Sequence, residues 1–306
     1  MGGNSNKLEL PKVDLTGLGM AEPGTKAWSS VQEKVASALM NYGCFQAIYN
    51  DIEAELQNGL IEQALLDVFK EEAKFSYAPS LPCSGWLLQL TGFAFKSLQL
   101  NDPESLADVQ DNTMCNYAKH MQGLLQTIHR MIILSLDLDD HYHSHIKSVE
   151  YSMRLSEYFD DVQNNKTKIG MPSHVDSNYV SIILQQKEGL EIESPNHGWI
   201  RITPLPNSFT VLIGEAFMAW TNRRFRARNH RVKLDGSSKR YSIIFSSIPS
   251  RSDDMIQTMD ELVDNKHPLV YKPFKYYDYL KFRFSNGEKE DTLKSYCGVE
   301  QAEAAA

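Results

Sequence analysis

The chain has only four cysteines in 306 residues, Cys44, Cys83, Cys115 and Cys297, and none forms a CxxC pair. That spacing excludes a zinc ribbon and offers no disulfide framework, and scattered thiols are the default of a reducing compartment. No apolar run is long enough to span a bilayer. The opening "MGGNSN" has no secretory pattern, and Asn6 stands where a myristoylation signal wants Ser or Thr. Long basic runs are missing too. With 31 Lys and Arg against 39 Asp and Glu, the formal net charge is −8. Neither nucleic acid nor an anionic membrane is an expected partner. Internal repeats, low-complexity blocks and interdomain linkers are all lacking. The expectation is a soluble, cytoplasmic, monomeric protein that acts on a small molecule.

What is present divides by texture. Residues 1–148 read as mainly helical. "PKVDL" is a short strand candidate, and "AWSSVQEKVASALMNYG" puts Trp28, Val31, Val35 and Leu39 on one helical face, with Gly43 as its stop. A second helix is expected over "NDIEAELQNGLIEQALLDVFKEEAKF", capped by Asn50 or Asp51. A third is expected where Met121, Leu124, Leu125, Ile128 and Ile132 align. Over 149–250 the pattern becomes apolar runs of five to eight residues, from "VEYSMRLSEYF" to "RYSIIFSSIP", which argues for a β-sandwich or barrel. "LPNSF" and "LDGSSKR" read as hairpin-type connections. Residues 251–306 form a helical extension ending in "YKPFKYYDYLKFRFS", and the three segments are expected to form one structural unit.

Within the β half, "SHVDS" places His174 and Asp176 two apart, and side chains two apart on an extended chain face the same way. Such a pair arises easily by chance, as a strand-capping histidine and a turn aspartate. His230, 56 positions after His174 at the start of another strand, changes its weight. Two neutral imidazoles and one carboxylate are the facial ligand set of non-haem Fe(II), with coordination positions left open. Arg240 and Ser242, in "KRYSIIF", share a strand face. A buried guanidinium with a neighbouring hydroxyl suits the far carboxylate of a dicarboxylic acid.

The ordered set His174-x-Asp176, His230, Arg240-x-Ser242 resembles that of the plant 2-oxoglutarate/Fe(II)-dependent dioxygenases. "PKVDLTG", "YGCFQAIYN" and "ELVDNKHPLVYKPFKYYDYL" resemble further family segments, so the similarity covers most of residues 9–299. "DELVDNKHP" and "LKSYCGV" suggest the AOP-like branch, known for glucosinolate side-chain oxidation in plant specialised metabolism. The resemblance implies a double-stranded β-helix (jelly-roll) core flanked by N-terminal and C-terminal helices. It implies an oxidoreductase that uses Fe(II), 2-oxoglutarate and O2, with ascorbate as a candidate reductant, and most often hydroxylates a C–H bond with release of succinate and CO2. His174, Asp176 and His230 would hold the metal. Arg240, Ser242 and Tyr158 would hold 2-oxoglutarate, although Ser156 stands where the family usually has Asn. Val175 replaces the usual Thr, and the segment between Gly92 and Asn116 is shorter than in most members. Phe217, Trp220 and Phe245 are candidates to line the substrate pocket. Two other readings stay open: a same-fold ferrous oxidase that does not use 2-oxoglutarate, and a catalytically silent binder of a small metabolite.

Other conspicuous residues have plainer readings. "DLDDHYHSHIK", with His141, His143 and His145, is expected to be a solvated loop, and His120 and His129 are expected to be ordinary surface or packed residues. Arg223, Arg224, Arg226, Arg228 and Arg231 form a basic stretch around His230 that is either a solvated turn or an attractor of anionic substrate.

Overall fold

The computed structural model describes residues 9–18, 23–61, 65–70, 76–77, 86–89, 95–101, 112–159, 169–195, 198–236, 238–286 and 291–300. In chain order these contain β1 (Lys12–Asp14), α1 (Lys26–Tyr42), β2 (Cys44–Ile48), α2 (Ala54–Gly59), α3 (Leu65–Lys70), β3 (Ser76–Tyr77), β4 (Trp86–Gln89) and β5 (Phe95–Asn101). Then follow α4 (Asn112–Leu134), α5 (Tyr142–Lys147), β6 (Val149–Tyr158), β7 (Ile169–His174), β8 (Val180–Gln185), β9 (Leu190–Ser194), β10 (Gly198–Arg201) and β11 (Ser208–Ile213). The chain continues through α6 (Glu215–Trp220), β12 (His230–Lys233), β13 (Arg240–Pro249), β14 (Met255–Ile256), β15 (Phe274–Lys275), α7 (Tyr276–Asn286) and α8 (Thr292–Cys297).

The strands form a major sheet in the order β1-β2-β11-β8-β13-β6-β5-β4-β3 and a minor sheet in the order β10-β9-β12-β7. From β6 onward the chain passes repeatedly from one sheet to the other, which is the winding of a double-stranded β-helix. "LPNSF" leads from β10 in the minor sheet to β11 in the major, and "LDGSSKR" from β12 to β13. These connections therefore switch sheets and are not the hairpins their turn residues suggested. Turn chemistry reports a change of direction, but not which strand the chain meets next.

Side-chain alternation sorts the major sheet into two faces. Met153 and Leu155 of β6, Ile243 and Phe245 of β13, and Ile182 and Leu184 of β8 join α1 and α4 in the main apolar cluster. Each such side chain stabilises the fold by roughly 1.5–3 kcal/mol on burial. The other face looks toward the minor sheet. It carries only two smaller apolar clusters, one around Ile183, Ile192 and Ile200 and one around Phe95, Tyr158 and Val232.

The helices follow their sequence signals, with one exception at a cap. Thr25 caps α1 by accepting from the Trp28 amide, and Gly43 ends it at φ 69°. Trp28, Val35 and Leu39 are buried, as are Met121, Leu124, Leu125, Ile128 and Ile132 of α4. Of the expected second helix the structure describes two helical pieces, α2 and α3, and residues 62–64 between them lie outside the described set. Glu53, not Asn50 or Asp51, precedes α2. Asp51 accepts from the Gly17 amide and Asn50 bonds Thr16, so both tie down the loop after β1. Most of the shortened stretch between Gly92 and Asn116 lies outside the described residues. Among the described residues no helix is long and apolar enough to cross a membrane.

The histidine-rich stretch departs most from expectation. It forms a 3₁₀ turn, Asp139–His141, followed by α5, and His145 is buried. Its ring stacks on Phe217 at 5.5 Å, and its Nε2 lies 2.9 Å from Nδ1 of His129, whose Nε2 meets Ser247 Oγ at 2.9 Å. Burial pushes the His145 imidazole down to about 3, and burial together with His145 holds His129 well below 6.5. Below pH 6.5 the unfolded chain therefore binds protons that the folded chain refuses. This contribution to stability is whole above pH 6.5 and is lost as the pH falls toward 3. Urea unfolding should show stability falling between pH 7 and 5 by up to about 1.4 kcal/mol per pH unit for each histidine. His145→Gln should flatten that slope; an unchanged slope in the variant would refute the assignment.

Candidate active site

β7 ends on His174 and β12 begins on His230, and the two residues pair directly across the antiparallel ladder. Their ring centroids are 4.2 Å apart. Asp176 lies past the end of β7, so the aspartate shares no strand with His174 and reaches it from the following loop. Its Oδ1 is 3.8 Å from Nε2 of His174 and 3.6 Å from Nε2 of His230. The three candidate ligand atoms lie within 4.8 Å of one another. Nδ1 of His174 is 2.9 Å from the Pro172 carbonyl, and Nδ1 of His230 is 3.3 Å from that of Arg228. A carbonyl can only accept, so each Nδ1 carries the proton and each Nε2 turns its lone pair toward Asp176.

The loop that carries Asp176 is held from three sides. Ser181 Oγ donates to Asp176 Oδ2 at 2.6 Å, and Asn178 Nδ2 donates to Ser181 Oγ at 2.8 Å. The Glu215 amide donates to the Asp176 carbonyl at 2.8 Å. Arg283 of α7 donates to the Val175 carbonyl at 2.5 Å and forms a buried ion pair with Glu215, which also accepts from Tyr279 Oη at 2.5 Å. Burial alone would push the Asp176 carboxyl up. His230, His174, the Ser181 bond and Arg154 outweigh it and hold the group below its ordinary 3.8. His174 shifts the other way: burial lowers it, against the pull of Asp176, so it stays neutral and able to ligate.

Arg240 and Ser242 stand on the inner face of β13, with Tyr158 opposite Arg240 and Ser156 opposite Ser242. Arg240 is 1% exposed, yet its Nη1 has no hydrogen-bond partner. Nη2 donates to Gln185 Oε1 at 2.9 Å, Nε donates to the Lys187 carbonyl at 3.3 Å, and the guanidinium lies 4.8 Å from the Tyr158 ring centre. The Ser156 hydroxyl is likewise buried and unpartnered. Two glycines keep this corner open. A Cβ on Gly189, at φ 144°, would meet Arg240 Nε at 2.9 Å, and one on Gly170 would meet the Tyr158 ring at 2.7 Å. A buried cation with one N–H unsatisfied costs about 1–3 kcal/mol unless a ligand accepts it. Two imidazoles, a carboxylate and an unsatisfied guanidinium thus fit a ferrous ion together with a carboxylate-bearing cosubstrate.

The aromatic candidates lie elsewhere. Phe245 is an odd-numbered neighbour of Arg240 and Ser242's face, so it points to the helical layer and stacks on Tyr151. Phe217 and Trp220 pack around His145 on that same side. The structure does not bring these three to the site. The basic stretch is also divided. Arg228 donates to the carbonyls of Asn41 and Tyr42 at the end of α1. Arg224 bonds Leu262, while Arg231 pairs with Glu191 and lies 3.9 Å over Trp199. Arg223 and Arg226 line a cleft of about 400 Å³ that also includes His174 and Arg283. Gln185, Ser181, Asn178, Glu215, Arg283 and Arg154 escaped the sequence reading. Only Ser181, Gln185 and Arg154 carried a signal, as polar residues inside apolar strand runs.

Two imidazoles and a carboxylate at the end of a double-stranded β-helix define a class of mononuclear non-haem iron site. Residues 150–249 match the model of the 2OG-Fe(II) oxygenase superfamily. The chain is 32% identical over 300 residues to "Probable 2-oxoglutarate-dependent dioxygenase AOP1.2" of Arabidopsis thaliana, covering 91% of this chain and 92% of that protein. It is 29% identical to "2-oxoglutarate-dependent dioxygenase DAO" of Oryza sativa subsp. indica, over 92% of this chain and 96% of that one. The crystal structure of the rice dioxygenase for auxin oxidation superposes with a TM-score of 0.76 at 26% identity, covering 95% of this chain and all of that one (100%). In fold it also matches JOX2, solved with 2OG, Fe and JA, with a TM-score of 0.77 at 20% identity, covering 95% of this chain and 89% of that one. The chain belongs to the 2-oxoglutarate- and Fe(II)-dependent dioxygenases.

Arg283→Ala should strand the Glu215 carboxylate without its cation and release the Val175 carbonyl. Removing one partner of a buried pair costs about 3–5 kcal/mol, which urea unfolding at neutral pH would register. A loss below about 1 kcal/mol would show that the ion pair contributes little to holding this loop.

Proposed function

We propose that this chain oxidises a C–H bond of a small metabolite, with hydroxylation as the principal outcome, and that His174, Asp176 and His230 are its iron ligands. Iron bound there supplies an oxidant from dioxygen as 2-oxoglutarate is converted to succinate and CO2, one oxygen atom going to succinate and the other to substrate. The remaining work falls to the protein. The Nδ1–H bonds to Pro172 and Arg228 fix the tautomer of both imidazoles. Ser181 holds the far oxygen of Asp176, which leaves Oδ1 turned toward the two Nε2 atoms. Arg240, Ser242 and Tyr158 receive the far carboxylate of 2-oxoglutarate, and the apolar inter-sheet cluster around Ile183 keeps water from the rest of the chamber. The reading rests above all on Nη1 of Arg240, a buried and unpaired donor on the face of the major sheet that looks toward the minor sheet carrying His174 and His230. We assign the chain to the cytoplasm as a monomer, in keeping with its net charge of −8. Residues 1–148, 149–250 and 251–306 act as one unit, a reading supported by β2 pairing with β11 and by Arg283 reaching Val175.

Anaerobic addition of Fe(II) and then 2-oxoglutarate should produce the visible charge-transfer band of the chelate. Arg240→Ala should weaken 2-oxoglutarate binding by about 100-fold, roughly 2.8 kcal/mol, while iron affinity is retained. Iron binding with no band would favour the oxidase that dispenses with 2-oxoglutarate, and absence of iron binding would favour a silent binder. Gly189→Ala should impair the same step, because its Cβ would press on the Arg240 side chain. Unaltered 2-oxoglutarate affinity in that variant would show that the corner yields.

A further inference from the structure

A second arginine faces the chamber. Arg154 of β6 shares the inner face with Ser156 and Tyr158, and its cross-strand partners are Ile244 of β13 and Gln99 of β5. Ile244 in turn pairs with Ile183, and the next inward row holds Ser246 and Ser181, the serine bonded to Asp176. Arg154 thus lies one row beyond Ser156 toward the metal ligands, roughly 7 Å along the strand. Its Nε donates to Gln99 Oε1 at 3.0 Å, and Gln99 Nε2 donates to Asn101 Oδ1 at 3.3 Å, so the guanidinium is aimed from behind. Among the described residues no acceptor bonds its terminal amino groups and no carboxylate pairs with it. Asp176 is the negative side chain whose field it feels.

We infer that Arg154 is the specificity-determining residue for the primary substrate, and that this substrate is a small carboxylate with an apolar body. The inference rests on the dioxygenase reading above. The charge balance of the filled chamber carries it. The two positive charges of Fe(II) and the one on Arg240 are matched by Asp176 and the two carboxylates of 2-oxoglutarate, and Glu215 cancels Arg283. Among the described residues on the inner face of the major sheet, Arg154 then remains without a carboxylate partner, and a monoanionic substrate neutralises it. The flanking Ile244 and Ile183 offer apolar contact to the rest of such a molecule. Arg presents two parallel N–H groups to a carboxylate, and here Gln99 has already fixed the plane of the fork.

The competing source of a carboxylate is 2-oxoglutarate itself, and the test separates the two. Full-length protein is loaded anaerobically with Fe(II) and 2-oxoglutarate, and the chelate band is titrated with phenylacetate, cinnamate and octanoate, each against its primary amide at fixed ionic strength. In the wild type at least one acid should perturb the band at tenfold lower concentration than its amide. Arg154→Gln should abolish that preference, Arg154→Lys should retain part of it, and 2-oxoglutarate affinity should change less than about threefold in both. Circular dichroism establishes that the variants are folded. Equal binding of acids and amides, binding of no acid, or a preference that survives Arg154→Gln overturns the inference. A tenfold or greater loss of 2-oxoglutarate affinity in Arg154→Gln would also overturn it, by assigning the residue to the cosubstrate. Failure of the wild type to form the band at all would overturn the dioxygenase reading itself.

Discussion

Side chains two apart on a strand must face the same way, and this constraint divides the molecule. Along β6 and β13 the odd-numbered residues, among them Met153, Leu155, Ile243 and Phe245, are mostly apolar and meet the helices, whereas the even-numbered ones include Arg154, Ser156, Tyr158, Arg240 and Ser242. A slip of one residue between these strands would carry two arginines into the main core and leave Ile243 and Phe245 facing the chamber. The paired register along ten residues of each strand therefore sets both the stability of the outer layer and the chemistry of the inner one. The catalytic chamber and the core are two faces of the same strands.

The buried polar groups fall into two kinds. Glu215, Arg283 and Tyr279 satisfy one another, as do His129, Ser247 and one side of His145. Those groups organise structure: the first brings α7 onto the loop of Asp176, and the second joins α4 and α5 to β13. Arg240 Nη1 and the Ser156 hydroxyl are left unmatched on the inner face. Unsatisfied polar groups are expensive in a low-dielectric interior, and these two sit on paired strands of one face, where a ligand could satisfy both. The two small inter-sheet clusters at either side supply the dry walls.

Much of this was legible before any coordinates. Every strand from Val149 to Pro249 except β7 was marked by its short apolar run, and the outer helices by Trp28, Val35, Leu39 and the apolar stripe of α4. His174, Asp176, His230, Arg240 and Ser242 could be singled out as candidates because residue type and order suffice for that, and the structure brings the first three together. What stayed hidden depends on distance in three dimensions. Nothing local marks Arg283 as the partner of Glu215, 68 positions earlier, or Gln185 as the partner of Arg240, 55 positions away. The stretch with His141, His143 and His145 read as a solvated loop, because nothing local shows that His145 packs against Phe217 and Trp220. Phe245 was misplaced by chemistry when parity alone would have put it on the helical side.

The bond from Arg283 to the Val175 carbonyl spans 108 positions of sequence. A polypeptide emerging from the ribosome presents both histidines and the aspartate long before α7 exists to clamp them. Until α7 docks, the loop of Asp176 lacks both the Arg283 bond to Val175 and the Glu215–Arg283 pair that hold it beside the two histidines. The geometry of the three candidate ligands is thereby tied to a residue synthesised more than fifty positions after the second histidine.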